Sequence, residues 1–255
     1  MILAVDVGNT NIVFGGVDKN GDTSFLCRIS TDKHKTEDEY AVHFKSLIEL
    51  NGSSCKGFNG GIISSVVPIL TPILKKAMEK VTGKTPLIVG PGIKTGLNIK
   101  IDNPAQLGSD LVVSAVAGIK EYGVPQINIY MGTATAFSLI DSEKNYLGTS
   151  IGAGMGIAAE ALSSKTSQLP NIAFETPRKV IGTNTVDSMK SGLICQNAAL
   201  IDGMIDRIEQ EYGQECVIVA TGRYSSLVTP LCKRKIICDK ELILKGLIEV
   251  YYKNC

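Results

Sequence analysis

Two carboxylates stand where they could do chemistry. Asp6 closes the apolar run Ile2–Val5 and is followed at once by Gly8-Asn9-Thr10. An acid at a strand end can hold Mg²⁺ directly or through water, because hard cations take oxygen ligands. The glycine lets the backbone come close, and turn N–H groups with the Thr10 hydroxyl can face phosphate oxygens. A plain hairpin, in which the Asp accepts turn N–H bonds, uses the same residues. Asp110 ends the long stretch GPGIKTGLNIKIDNPAQLGSD (90–110), just before the helical run LVVSAVAGI. There Ser109 or Asp110 either caps the helix, or Asp110 projects outward and takes the proton of an attacking hydroxyl. Phosphoryl transfer asks little more of a protein than positioning, Mg²⁺ and charge stabilisation.

A second turn echoes the first. In INIYMGTATAFSLID, Gly132 falls on Gly8, Thr133 on Asn9 and Tyr130 on Asp6 when the two stretches are laid together without a gap. Three further glycine sites carry weaker signals. GTSIGAGMG (148–156) precedes an apolar helix, Ile157–Leu162, and reads as a flexible loop whose following helix start could receive an anion or lie along a nucleotide. It is not a G-x-G-x-x-G fingerprint, and GKT at 83–85 lacks the upstream glycine of a P-loop. Thr221-Gly222, after CVIVA, supplies another close approach or merely ends a strand.

These residues need elements to hold them. Alternating apolar positions on both sides of Gly8-Asn9-Thr10 predict a β-hairpin, with a third strand around Phe25–Ile29. Thr36-Glu37-Asp38-Glu39 has the form of a capping box, ahead of Tyr40, Phe44, Leu47 and Ile48 at helical spacing. A buried strand (61–67), a helix from about Leu70 and a strand at 86–90 follow. The second half repeats the order: hairpin from residue 126, a long amphipathic helix through Val186, Met189, Leu193, Leu200, Met204 and Ile208, a strand at 216–222 and a final helix at 240–253. The expected architecture is α/β, with two similar halves, 1–124 and 125–255, facing each other across a cleft that receives both turns.

Composition excludes several classes. The 255 residues are 44% hydrophobic and 20% charged with a net charge of +1, which leaves no electrostatic footprint for nucleic acid. KHK (33–35) and KRK (233–235) read as solvated loop charges. No apolar run is long enough to cross a bilayer, and MILAVD lacks the basic n-region of a signal peptide. Seven cysteines, with no C-x-x-C pair, point to reduced thiols and a cytoplasmic location. Two histidines without partners make His-based catalysis a poor candidate.

The blocks DVGNTNIVFG (6–15), RISTDKHKTEDEY (28–40), SSVVP (64–68), VGPGIKTGLNIKIDNP (89–104), LGSD (107–110), MGTATAF (131–137), IGTNT (181–185), ATG (220–222) and LKGL (244–247) together resemble type III pantothenate kinase, of the acetate and sugar kinase/Hsp70/actin superfamily. The resemblance covers nearly the whole chain. It implies a duplicated ribonuclease-H-like fold, ATP and Mg²⁺ as cofactors with a monovalent cation (K⁺ or NH₄⁺), pantothenate as substrate, and a homodimer with active sites near the interface. It assigns the ATP phosphates to Asp6, Val7, Gly8, Asn9, Thr10, Asn11, Ile12 and Val13, with Gly132 and Thr133 from the second turn. Asp6 keeps the Mg²⁺ reading given above, and the resemblance makes Asp110 the base on the pantothenate hydroxyl. Leu107, Gly108, Ser109, Asp110 and, across the dimer, Thr185 contact the substrate.

The chain also departs from the family pattern. G-x-D-R reads Gly108-Ser109-Asp110-Leu111 here, and leucine cannot replace the bidentate bond of an arginine to a carboxylate. D-x-G-T-A-T reads Y-M-G-T-A-T, so the acid associated with the monovalent cation is Tyr130, a phenol that is neutral at pH 7. Thr149, Ala153 and Arg223 also replace an expected Gly, Pro and Gly. Three functions follow: a working kinase with an altered substrate clamp, a catalytically weakened relative that serves as a regulatory or structural partner of an active subunit, or a kinase for another alcohol.

Overall fold

The apolar periodicities become eleven strands and seven helices, in a computed structural model that describes residues 1–255. The first part of the chain forms β1 (Ile2–Val7), β2 (Asn11–Val17), β3 (Thr23–Ser30), α1 (Glu37–Leu50), β4 (Gly60–Ser65), α2 (Thr71–Thr82) and β5 (Leu87–Ile88). The short β6 (Asn98–Ile99) and the helix α3 (Ser109–Tyr122) follow. Then come β7 (Gln126–Met131), β8 (Ala134–Ile140), β9 (Asn145–Ala153), α4 (Met155–Lys165), α5 (Thr185–Tyr212), β10 (Val217–Thr221), α6 (Ser225–Val228), β11 (Ile237–Cys238) and α7 (Leu242–Tyr252).

Local chemistry accounts for most element ends. The Thr36 side chain accepts from the Glu39 N–H while Glu39 reaches back to the cap, so the capping box forms as expected. Helix α1 then buries Tyr40, Phe44 and Ile48, and Phe44 meets Phe14 edge-on at 4.7 Å. Pro72 opens α2, and Gly83 closes it at φ +68°, the left-handed conformation that glycine adopts without penalty. This is what GKT does.

Two compact units result: 1–97, 102–121 and 241–255 in one, 98–101 and 122–240 in the other. The sequence-based division at 124/125 puts the last helix in the second half, whereas α7 folds with the first unit. Its Leu244 lies against Gly15 of β2, and Gly246 is packed onto the Val113 backbone of α3 so tightly that a Cβ has no room.

The first sheet runs β3-β2-β1-β4-β5, with β1 antiparallel to β2, β2 antiparallel to β3, and β1–β4–β5 parallel. The second runs β11-β10-β7-β8-β9-β6, and its first five members reproduce that order and sense. This is the duplicated ribonuclease-H-like α/β fold expected from the sequence, with β6 added at one edge. The repeat needs one gap: Val7 pairs with Ile12 but Met131 with Thr135, so the second turn is one residue shorter. Beyond the turn, Ile12 therefore matches Thr135 rather than Ala136. With that shift the register irregularities, at Gly16/Val17 and at Leu139/Ile140, fall at the same point of each repeat.

Candidate active site

Asp6 lies in the middle strand of the first sheet, 4% exposed, opposite Val13 on one side and Ser64 of β4 on the other. The Ser64 hydroxyl, fully buried, donates to Asp6 Oδ1 at 2.9 Å. Ser109 at the start of α3 reaches the same place: its Oγ is 3.0 Å from Ser64 Oγ and accepts the Ser65 N–H at 3.0 Å. The next residue is Asp110, half-buried, whose Oδ1 accepts the Leu111 N–H at 2.9 Å. A Cβ on Gly108 would stand 2.5 Å from that Oδ1, so glycine there lets the carboxylate fold back over the chain. Burial, and then the charge of Asp110, push the Asp6 carboxyl up to about 7 against the Ser64 bond. Burial also raises Asp110, opposed by the Leu111 N–H. The two acids of the sequence argument belong to one electrostatic pair.

The first turn is closed internally. Gly8 N–H donates to Asn11 O at 3.0 Å, and the Gly8 carbonyl accepts the Thr31 hydroxyl at 2.6 Å. Thr31 also donates its N–H to Thr10 O at 3.0 Å, tying the end of β3 to the turn. The turn itself thus uses the Gly8 N–H. Asn9 and Thr10 are exposed, while Asn11 and Val13 are half-buried. Val7 and Ile12 are core side chains, so only their backbone could meet a ligand.

The second turn is built likewise, with Gly132 N–H donating to Ala134 O at 2.9 Å. The Tyr130 ring lies beneath it: a Cβ at Gly132 would be 2.9 Å from Tyr130 Cε1. Thr133, half-buried, gives its carbonyl to Gly154 N–H at 3.1 Å, and Gly154 packs so closely on Gly132 and Thr133 that no side chain fits. The reading of 148–156 as a flexible loop is corrected here. Residues 145–153 form β9, paired through 153 with β8, and α4 starts at Met155 rather than Ile157. Gly222, at φ +102°, closes on the Met131 backbone, so its close approach is to the protein itself. Thr185 opens α5 after the Asn184 cap, exposed and on the rim of a cavity of about 640 Å³ shared with Leu162, Thr183 and Met189.

Ser64, Ser65 and Thr31 were not singled out from sequence. The available signal was two hydroxyls ending the otherwise apolar run of β4.

Residues 2–207 match the family model described as type III pantothenate kinase. The chain belongs to that family. Its fold is shared at low identity with solved structures. One is a conserved Campylobacter jejuni protein assigned to the Baf family of transcriptional activators (16% identical, TM-score 0.58, 99% of this chain and 98% of that one). Another is the activator of 2-hydroxyisocaproyl-CoA dehydratase from Clostridium difficile, solved with ADPNP (11%, 0.57, 98% and 93%). A third is the (R)-2-hydroxyglutaryl-CoA dehydratase component A from Acidaminococcus fermentans (12%, 0.57, 99% and 97%). Leu111, the residue after Asp110, is 8% exposed and belongs to the buried run of α3.

Proposed function

We propose that this chain transfers the γ-phosphoryl group of ATP to the hydroxyl of pantothenate, the first step towards coenzyme A. The observation that carries this reading is the Asp6–Asp110 pair, assembled beside a turn whose exposed residues, Asn9 and Thr10, are polar. Asp110 takes the hydroxyl proton. Its Oδ1 is held by Leu111 N–H, which leaves Oδ2 as the base, and its raised pKa brings it nearer the working pH. The substrate oxygen then attacks the γ-phosphorus and ADP leaves.

A buried Asp6 whose carboxyl is pushed up by burial and by the neighbouring Asp110 charge suits a divalent cation, which would neutralise it. Asp6 Oδ2 would hold Mg²⁺, whose chemistry when bound is to offset charge on the phosphates. Asn9, Thr10, Asn11 and the backbone of Val7, Gly8, Ile12 and Val13 line the phosphates in this reading, with Gly132 and Thr133 as the second phosphate element. Leu107 and Gly108 belong to the pantothenate site in this reading, and Thr185 reaches the site of the other subunit across the dimer. Ser109 supports it from behind, because its hydroxyl is already engaged by β4. Tyr130 offers no carboxylate to K⁺ or NH₄⁺. A homodimer in the cytoplasm completes the proposal.

The buried Leu111 favours a second reading, a weakened relative that pairs with an active kinase subunit. A lost charge-assisted contact costs about 1.5–3 kcal/mol, and losing two such contacts slows turnover by roughly 10²–10⁴-fold. The deciding assay supplies Mg-ATP and pantothenate with or without K⁺, to the unaltered chain and to Leu111→Arg/Tyr130→Asp. Phosphopantothenate from the unaltered chain is the expected result. Product from the double variant alone would support the weakened relative, and turnover of a different alcohol with pantothenate inert would redirect the substrate assignment.

A further inference from the structure

Counting protons gives a direction to the hydrogen bonds around Asp6. A serine hydroxyl has one proton to donate. That of Ser64 goes to Asp6 Oδ1, so the 3.0 Å bond between the two serine oxygens is donated by Ser109. Ser109 Oγ in turn accepts the Ser65 N–H. The result is a directed chain, Ser65 N–H to Ser109 to Ser64 to the carboxylate, and bonds aligned this way strengthen one another. Its origin is anchored, because Ser65 Oγ accepts the Thr71 hydroxyl at 2.9 Å and the Val67 N–H at 3.2 Å.

The chain joins three elements. Asp6 is on β1, Ser64 and Ser65 are on β4, and Ser109 is the first residue of α3, whose next residue is Asp110. Any displacement of that helix start withdraws the donor behind Ser64 and weakens the Ser64 bond that holds the Asp6 carboxylate. With Oδ1 held, Oδ2 carries no hydrogen bond and is the oxygen available to a cation.

We propose that Ser64 and Ser109 are positioning residues of the phosphoryl-transfer site, which orient Asp6 towards the cation and lock that orientation to the helix start bearing Asp110. The proposal rests on the kinase reading above. The competing role is a staple that only packs α3 on the sheet.

Calorimetric titration with ADP, with and without Mg²⁺, separates the two roles without relying on turnover. In the unaltered chain Mg²⁺ should strengthen ADP binding. Ser64→Ala should lose about 10-fold of that gain, the worth of a hydrogen bond to a charged group, with metal-free binding unchanged. Ser109→Ala should lose about 3–10-fold on the same scale, and Ser109→Thr, which keeps the hydroxyl, should restore it. Because Ser109 acts through Ser64, the double alanine variant should bind no more weakly than Ser64→Ala alone. Circular dichroism checks that each variant folds; should the buried Ser64→Ala fail, the half-buried Ser109→Ala and Ser109→Thr pair decides the matter. Equal losses with and without Mg²⁺, or additive losses in the double variant, would overturn the positioning role and leave the kinase reading intact. No Mg-dependent nucleotide binding by the unaltered chain would overturn both.

Discussion

Asp110 and Asp6 share an environment, and the proposed reaction gives them different duties, each with its own test. Asp110→Asn removes the proposed base while keeping the shape, so kcat should fall about 10²–10⁴-fold with ADP binding retained in a thermal-shift assay. The acid pair also makes stability depend on pH. The folded Asp6 carboxyl sits near 7 against an ordinary value of 3.8. Between those values the folded chain holds protons that the unfolded chain has released, so stability must fall as pH rises through the window. The thermal midpoint of the ligand-free protein should therefore drop by several degrees between pH 5 and 8, and Mg-ADP should flatten the slope. Asn128 offers a different residue-scale test. It is 3% exposed on β7, and neither polar atom of its side chain has a hydrogen-bond partner. Asn128→Val should raise stability by about 1–2 kcal/mol, read in urea unfolding, because it removes the desolvation penalty and suits a strand.

At the scale of elements, glycines mark where one piece of backbone rests on another. Gly246 of α7 meets the Val113 carbonyl of α3 with no space for a methyl group. Gly246→Ala should destabilise the first unit by about 1–3 kcal/mol, with a lower denaturation midpoint as the measurement. The two hairpins, the capping box and the long helix α5 were legible in sequence, since periodicity and neighbouring residues determine them. The strand character of 148–153 was not. Its glycines are mostly open, and β9 exists because β8 offers a pairing edge, which no local pattern records. The one-residue difference between the turns escaped for a similar reason: ungapped matching cannot sense where strand pairing resumes.

The whole molecule is a duplication whose last helix returns to the first unit. Helix α7 buries Leu242, Leu244, Leu247, Ile248 and Val250 and completes a core that β1, β2 and β4 open. A chain ended at residue 240 should therefore expose that face, bind a hydrophobic dye and lose solubility. A fragment of residues 1–124 should fail in the same way, and fusing 241–255 to it should recover a cooperative unfolding transition. A stable fragment 1–124 would argue against this account of the first unit.

By itself the sequence determined the class of fold, the duplication, the family and the identity of both acids, because these follow from alternation, helical spacing and motif blocks within short reach. Only the tertiary structure decided how those acids meet. Parallel pairing of β1 with β4 sets Ser64 beside Asp6, and the seat of α3 brings Ser109 to the same point. Such contacts join residues far apart in the chain through register and packing, and no local pattern encodes them. Tertiary structure likewise turned Leu111 into part of a buried helix face and set the Tyr130 ring beneath the second turn.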